Sequence, residues 1–333
     1  MNRLDRRIAI IKAKKSGSFD PDQVYLGNAQ RGRVARKLRT LIRNGQPSVL
    51  VTPRWSEASS FLDDLVADLQ LGTPKVRART LSVAPLQGRS NLEAWNWLVR
   101  AVMEFADLPM DGPLSHVIDR SGFRAALGGV FRRTVRSEPS ALLICCAEHV
   151  PFEVLQDFVG AYDDHVIEAG EQRRLTLLLS GMITHKSFAL REAPRLWLPD
   201  FGPREAVEAL AECIGIADPH ALWAMVGAVG GVPAMIERLG RSGEQGLIPH
   251  DRASLWRALG PLVDEIRAAV AIVSSAERLA ERVETLAASG LVSEEPMLDA
   301  SLVQAGLLVR DVRKDEARVA LRAPLFADLA AGR

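Results

Sequence analysis

Two short apolar runs constrain this chain more than any other feature: Ala141-Leu142-Leu143-Ile144-Cys145-Cys146 and Leu175-Thr176-Leu177-Leu178-Leu179. A strand with one face in water alternates apolar and polar residues, whereas a nearly continuous apolar run fits a strand covered on both faces of a parallel sheet. Further strands are expected at Ser48–Val51, near Arg79–Val83 and at Arg195–Leu198. Helical periodicity fills the intervals, over 28–44, after residue 59, and over 91–107, 114–134 and 151–168. Strands alternating with helices through residue 200 predict an α/β parallel sheet. From Pro203 onward the pattern is helical, broken at Asp218-Pro219, at Gly230-Gly231-Val232-Pro233 and between Gly243 and Gly246. The tail reads as helix (276–289), helix (293–305) and hairpin (307–313 with 318–322), the order of a winged helix.

At 333 residues the chain has room for about two domains with cores of their own. No apolar run approaches the roughly 20 residues of a membrane helix, and the first residues lack the apolar stretch of a signal peptide, so a cytoplasmic protein is expected. Cys145, Cys146 and Cys213 have no zinc or redox-motif spacing and are expected as buried thiols. The six histidines show no ligand spacing, and there is no Gly-x-Ser-x-Gly or His-Glu-x-x-His motif. Charge is uneven. Residues 1–46 hold twelve Lys and Arg against three Asp, a net +9, leaving −8 for the rest of a chain of net charge +1. Such a skew points to an anionic partner at the N-terminal end. The candidate polyanion site is the basic side of helix 28–44, with Arg31, Arg33, Arg36, Lys37, Arg39 and Arg43, joined by Lys12, Lys14 and Lys15. Aromatic residues are not interleaved with these cations, which favours binding along a nucleic-acid backbone over base stacking. A solvated helix face, or an acidic protein as partner, is the alternative reading.

Between the first strand and its helix lies Thr52-Pro53-Arg54-Trp55-Ser56-Glu57-Ala58-Ser59. A phosphate-binding loop at that place reads G-x-x-x-x-G-K-[ST]: glycines let backbone N–H groups close on phosphate, the lysine reaches the outer phosphates, and the hydroxyl holds Mg²⁺. Here Thr52, Glu57, Ala58 and Ser59 fall on those four positions. Two side chains stand where backbone must approach, one of them acidic, the cation is lost, and only Ser59 keeps a suitable hydroxyl.

Taken with its surroundings, the chain resembles the P-loop ATPases of the AAA+ and signal-transduction ATPase superfamily, in the branch with a helical lid and a C-terminal winged helix. Tyr25-Leu26-Gly27-Asn28 is similar to the family's opening motif, with Asn28 where arginine is usual. Residues 52–62 are similar to a loop reading G-P-R-G-S-G-K-T-S-F-L. Ala147-Glu148-His149 stands where the family carries Asp-Glu, the metal-holding acid and the base that activates water. Ser180 matches the polar sensor, Phe201-Gly202-Pro203-Arg204-Glu205-Ala206 opens the lid, Gly230-Gly231-Val232-Pro233 is similar to its G-G-x-P motif, and Leu302–Leu308 with Arg322-Ala323-Pro324-Leu325-Phe326 is similar to the end of the wing. The resemblance implies a basic segment 1–23, an α/β core 24–200, a lid 201–262 and a winged-helix domain 263–333.

Thr52, Glu57, Ala58, Ser59, Ala147, Glu148 and Ser180 are accordingly expected to form a vestigial nucleotide site that binds neither ATP nor Mg²⁺ and has no catalytic residue. The expected function is that of an inactive ATPase-like scaffold, adaptor or regulatory subunit in a protein assembly, with nucleic acid as a further partner class. Two alternatives stand beside it. One is a DNA-binding regulator using the basic N-terminal face. The other is an active ATPase or switch with a divergent loop, completed by a lysine such as Lys75. Arg191 and Arg195 lie near where relatives present an arginine finger, and His149 beside Glu148 is the one polar pair expected at a strand end. In the expected winged helix, Glu294, Glu295 and Asp299 oppose phosphate and Gln304 is the sole base-reading candidate, while Arg310, Arg313, Lys314 and Arg318 are balanced by Asp311, Asp315 and Glu316.

Overall fold

The helix expected over 28–44 is α1 (Ala29–Arg43), with Ala35, Leu38, Leu41 and Ile42 buried along one side. Gly45, at φ 67°, ends it: the N–H of Gly45 donates to Ile42 O and that of Gln46 to Leu41 O, the paired bonds of a Schellman stop. The computed structural model describes residues 29–109, 117–134, 139–169, 175–182, 193–214, 218–274, 277–289, 292–313 and 316–330. Within these, the chain forms two compact units, one of residues 34–52 and 58–198, the other of 29–33, 53–57 and 199–330. The segments expected as lid and as C-terminal domain thus share a unit, and that unit also takes in the loop 53–57. The Tyr25–Asn28 motif, Lys12, Lys14, Lys15 and Arg191 lie outside the described residues.

The first unit is built on a five-stranded, wholly parallel sheet in the order β2-β3-β4-β1-β5. Its strands are β1 (Ser48–Val51), β2 (Arg77–Ser82), β3 (Ser140–Cys145), β4 (Leu175–Gly181) and β5 (Arg195–Trp197). Every residue of β1, β3 and β4 is buried, as their apolar runs require. Helices supply the crossovers: α2 (Ala58–Leu71), α3 (Asn91–Phe105), α4 (Arg120–Thr134) and α5 (Phe152–Ala169). One sheet face, with Val49, Val51, Leu142, Ile144, Leu177 and Leu179, packs on Leu98 and Val102 of α3, Phe123 and Phe131 of α4, and Phe158 and Tyr162 of α5. Tyr162 Oη donates to Leu175 O at 3.1 Å and accepts from Leu177 N at 3.3 Å, so its buried hydroxyl satisfies the backbone at the start of β4.

The second unit begins with α6 (Pro203–Ile214), α7 (Pro219–Val229) and α8 (Pro233–Glu244), each with proline at its first position, where the missing N–H has no intrahelical partner to lose. The Gly230-Gly231 pair has a steric cause. A Cβ on Gly230 would meet Arg322 O and one on Gly231 would meet Phe201 O, while Phe201 N donates to Gly231 O at 2.9 Å. After α9 (Arg252–Leu259), α10 (Leu262–Ser274) and α11 (Glu277–Ser289) come β6 (Val292–Ser293), α12 (Pro296–Ala305), β7 (Leu308–Arg313), β8 (Glu316–Leu321) and α13 (Pro324–Ala330). The three strands form an antiparallel sheet ordered β6-β8-β7. Two of these elements differ from the sequence expectation: residues 292–293 pair with β8 instead of starting a helix, and the segment read as the end of a wing is helical from Pro324.

Candidate functional site

The loop after β1 turns through two positive-φ residues, neither of them glycine. Thr52 is buried, and its N–H donates to Gly181 O at 3.0 Å. Trp55 and Glu57 then adopt φ 60° and φ 53°, the left-handed region that residues with a Cβ seldom enter, at positions where the similar loop has glycine. Helix α2 starts at Ala58, half-buried, with Ser59 exposed. No cation stands at the lysine position.

Three successive loop carbonyls are bonded within the loop's own unit. Arg54 O accepts from Arg322 Nη1 at 2.6 Å, Trp55 O from Ala234 N at 3.0 Å, and Ser56 O from Arg31 Nη2 at 2.7 Å. The Trp55 ring lies 5.7 Å from that of Phe326, and its Nε1 donates to Glu265 Oε2 at 3.3 Å. Arg322 is the hub. Its side chain is 0% exposed, it grips Asp200 through Nε and Nη2 at 2.7 and 2.6 Å, and it donates also to Gly306 O at 2.8 Å.

The other half of the expected site sits at the sheet's strand ends. Cys146, at φ 65°, turns the chain out of β3 into a short 3-10 turn over Ala147–His149. Ala147, where the resemblance implies a metal-holding acid, is fully buried. Glu148 Oε2 accepts from Met182 N at 3.2 Å and lies against Gly181, where a Cβ would strike it; its Oε1 is 3.9 Å from His149 Nε2. Ser180 is buried at the end of β4, and its hydroxyl has no hydrogen-bond partner among the described residues. Thr52, Ala147, Glu148 and Ser180 therefore cluster through β1, β3 and β4. The chemistry of this set does not suit Mg²⁺-phosphate, because it supplies neither a cation nor a carboxylate at Ala147, and Glu148 Oε2 already accepts from Met182 N.

No protein-family model and no curated protein matches the sequence. Among solved structures, the Walker-type ATPase of Pyrococcus abyssi matches with a TM-score of 0.54 at 15% identity, covering 90% of this chain and 95% of that one. The chain has a P-loop ATPase fold. The ORC2 protein of Aeropyrum pernix, solved as ADPNP and ADP complexes, matches at a TM-score of 0.49 and 11% identity over 91% of this chain and 92% of that one. At such identities the likeness is one of fold alone. Among the described residues, no helix is long and apolar enough to cross a membrane.

On this P-loop ATPase fold, the basic face of α1 is smaller than the sequence led us to expect. Arg31 is buried against Ser56 O and stacks over Phe201 at 5.2 Å. Arg39 pairs with Asp68 at 2.7 Å, both nearly buried, and the Arg43 guanidinium packs where Gly72 has no side chain. Arg33, Arg36 and Lys37 remain exposed. Arg195 is half-buried in edge strand β5, and Lys75 is exposed.

Of the acids expected to repel phosphate, Asp299 is placed differently, while Glu295 just before α12 is exposed. Asp299 is fully buried and chelates Arg282, which also pairs with Glu295 at 2.6 Å. Among the described side chains of α12, Ala300, Ser301 and Gln304 are exposed and none is charged. Arg318 is exposed; the side chains of Arg310, Arg313, Asp311 and Glu316, and all of Lys314 and Asp315, lie outside the described residues.

Proposed function

We propose that this chain is a non-catalytic, ATPase-shaped scaffold or adaptor that uses surfaces of the fold, rather than nucleotide chemistry, to serve a multi-subunit assembly. The observation that carries this reading is the loop 53–57. Its turn is kept by Trp55 and Glu57 in place of glycine, and its carbonyls are bonded to Arg322, Ala234 and Arg31 of its own unit. Phosphoryl-transfer enzymes work by positioning and by neutralising phosphate charge. Ala58 and Ala147 remove the means of neutralisation at two separate places. Residues 263–333 are read as a winged helix used for protein binding, given that the exposed side chains described on α12, Ala300, Ser301 and Gln304, are neutral. Titration of a fluorescent ATP analogue with Mg²⁺ is expected to show no saturable binding at tens of micromolar protein. Saturable micromolar binding would overturn this reading in favour of an active or switching ATPase.

A second reading, that the scaffold also touches DNA, is favoured by the exposure of Arg33, Arg36 and Lys37 on consecutive turns of α1. Every phosphate that a cation neutralises steepens the fall of log affinity with log salt by about 0.9 for duplex DNA. The triple variant Arg33→Gln, Arg36→Gln and Lys37→Gln is therefore expected to flatten the slope by about 2–3 in a filter or anisotropy titration. An unchanged slope would remove α1 as the site.

A further inference from the structure

Cys145 and Cys146 are adjacent, and on a regular strand adjacent side chains point to opposite faces. Here they do not. The left-handed φ of 65° at Cys146 swings the second side chain round, and the two Sγ atoms come to 3.5 Å. Cys145 is buried in the sheet, whereas Cys146 is half-buried where the chain leaves it. The pair shares an S–H···S bond. That bond holds the Cys146 thiol below its ordinary value and pushes the Cys145 thiol up, with burial and the Glu148 charge adding to the rise at Cys145 and working against the fall at Cys146. Among the described residues no cluster of three or more His, Cys, Asp or Glu side chains could hold a metal ion, so the pair has no metal-site companions.

We propose that Cys145 and Cys146 form a vicinal dithiol modification site, oxidised reversibly to a Cys145–Cys146 disulfide by low-molecular-weight disulfides of the glutathione type. In the first step the Cys146 thiolate attacks one sulfur of the small disulfide, forming a mixed disulfide on Cys146 and expelling one small thiolate. In the second, Cys145 gives up its proton to solvent and its sulfur attacks Sγ of Cys146, expelling the other small thiolate. Two protein thiols and one small disulfide become one protein disulfide and two small thiols, so electrons and protons balance. The more accessible thiol, with its value lowered, is the attacking one, as thiol–disulfide exchange requires. Consecutive Cα atoms are only about 3.8 Å apart, below the usual disulfide range of about 4.4–6.8 Å. The product is consequently of the labile kind that small thiols reopen, suited to modification and unsuited to stapling the fold.

The test uses the full chain with Cys213→Ser, which leaves only the two adjacent thiols. Incubation with glutathione disulfide under native conditions should lower the intact mass by two hydrogen atoms, abolish both titratable thiols and leave no glutathione adduct; dithiothreitol should reverse all three. Cys145→Ala, in the same background, should stop at the mixed disulfide on Cys146, and Cys146→Ala should not react. Phenylarsine oxide, which bridges two thiols with loss of water, provides a check on the chain with both cysteines intact: it should block the oxidation and be removed by a dithiol but not by a monothiol. A stable glutathione adduct on the chain that keeps both cysteines would overturn the proposal, as would failure of phenylarsine oxide to bind.

Discussion

Arg322→Ala is expected to destabilise the second unit by about 3–5 kcal/mol, the cost of stranding one member of a buried ion pair. The magnitude follows from what the guanidinium does. It donates to Arg54 O and Gly306 O, it satisfies both oxygens of Asp200, and its side chain is 0% exposed. Truncation leaves Asp200, at 14% exposure, without its countercharge and takes a donor from each of two carbonyls. Lysine should not rescue it, since a point cation cannot bind Asp200 in bidentate fashion and reach two carbonyls at once. Urea midpoints followed by circular dichroism read the loss; a shift corresponding to under about 1 kcal/mol would mean that the hub is not a structural centre. The variant is also expected to gain no nucleotide affinity. Releasing Arg54 O frees the loop, but Ala58 still supplies no cation, so a gain of binding would show that the Arg322 bond itself, and not the missing lysine, keeps nucleotide out.

The α/β core was legible because its signal is local. Continuous apolar runs mark β3 and β4, and residues 48–51 form β1 as the pattern predicts. The altered loop residues were legible too, as substitutions at fixed spacing. What the loop binds was not, since Arg31, Ala234, Glu265, Arg322 and Phe326 are distant in sequence and no periodicity links them to residues 54–56. The same limit shrank the basic face. Helical spacing gathers the cations of α1 on one side, but whether a guanidinium faces water depends on Ser56, Asp68 or Gly72 elsewhere. The expectation of three buried thiols fails at Cys146 and Cys213. At Cys146 the reason is a positive φ at a strand end, which an apolar residue there does not announce. Residues 292–293 and α13 were missed because two residues carry no period and a seven-residue helix barely spans two turns.

The second large effect belongs to Asp299, where sequence and structure assign opposite roles. Read as a surface acid, Asp299 would repel DNA phosphate, and its neutralisation should raise DNA affinity while leaving stability almost unchanged. In the structure its Oδ1 and Oδ2 accept from Arg282 Nε and Nη2 at 3.0 and 2.9 Å, Oδ2 accepts also from Glu295 N at 2.6 Å, and Arg282 Nη2 reaches Ser293 O at 2.8 Å. The pair therefore ties α11 to the start of α12 from inside. Asp299→Ala should cost about 3–5 kcal/mol, and Arg282→Ala a similar amount. Because both remove the same interaction, the double variant should fall well short of their sum, with a coupling of about 0.5–3 kcal/mol. Replacing both by leucine should recover much of the loss, since a buried ion pair exchanged for well-packed apolar side chains is often neutral or better. Urea melts of the four variants read these values, and strict additivity would show the pair to be independent. Salt-dependent DNA binding of Asp299→Ala separates the roles further. Because the Asp299 carboxylate is buried and paired with Arg282, its removal should change DNA affinity little, in contrast to the marked gain expected of an exposed, phosphate-repelling acid.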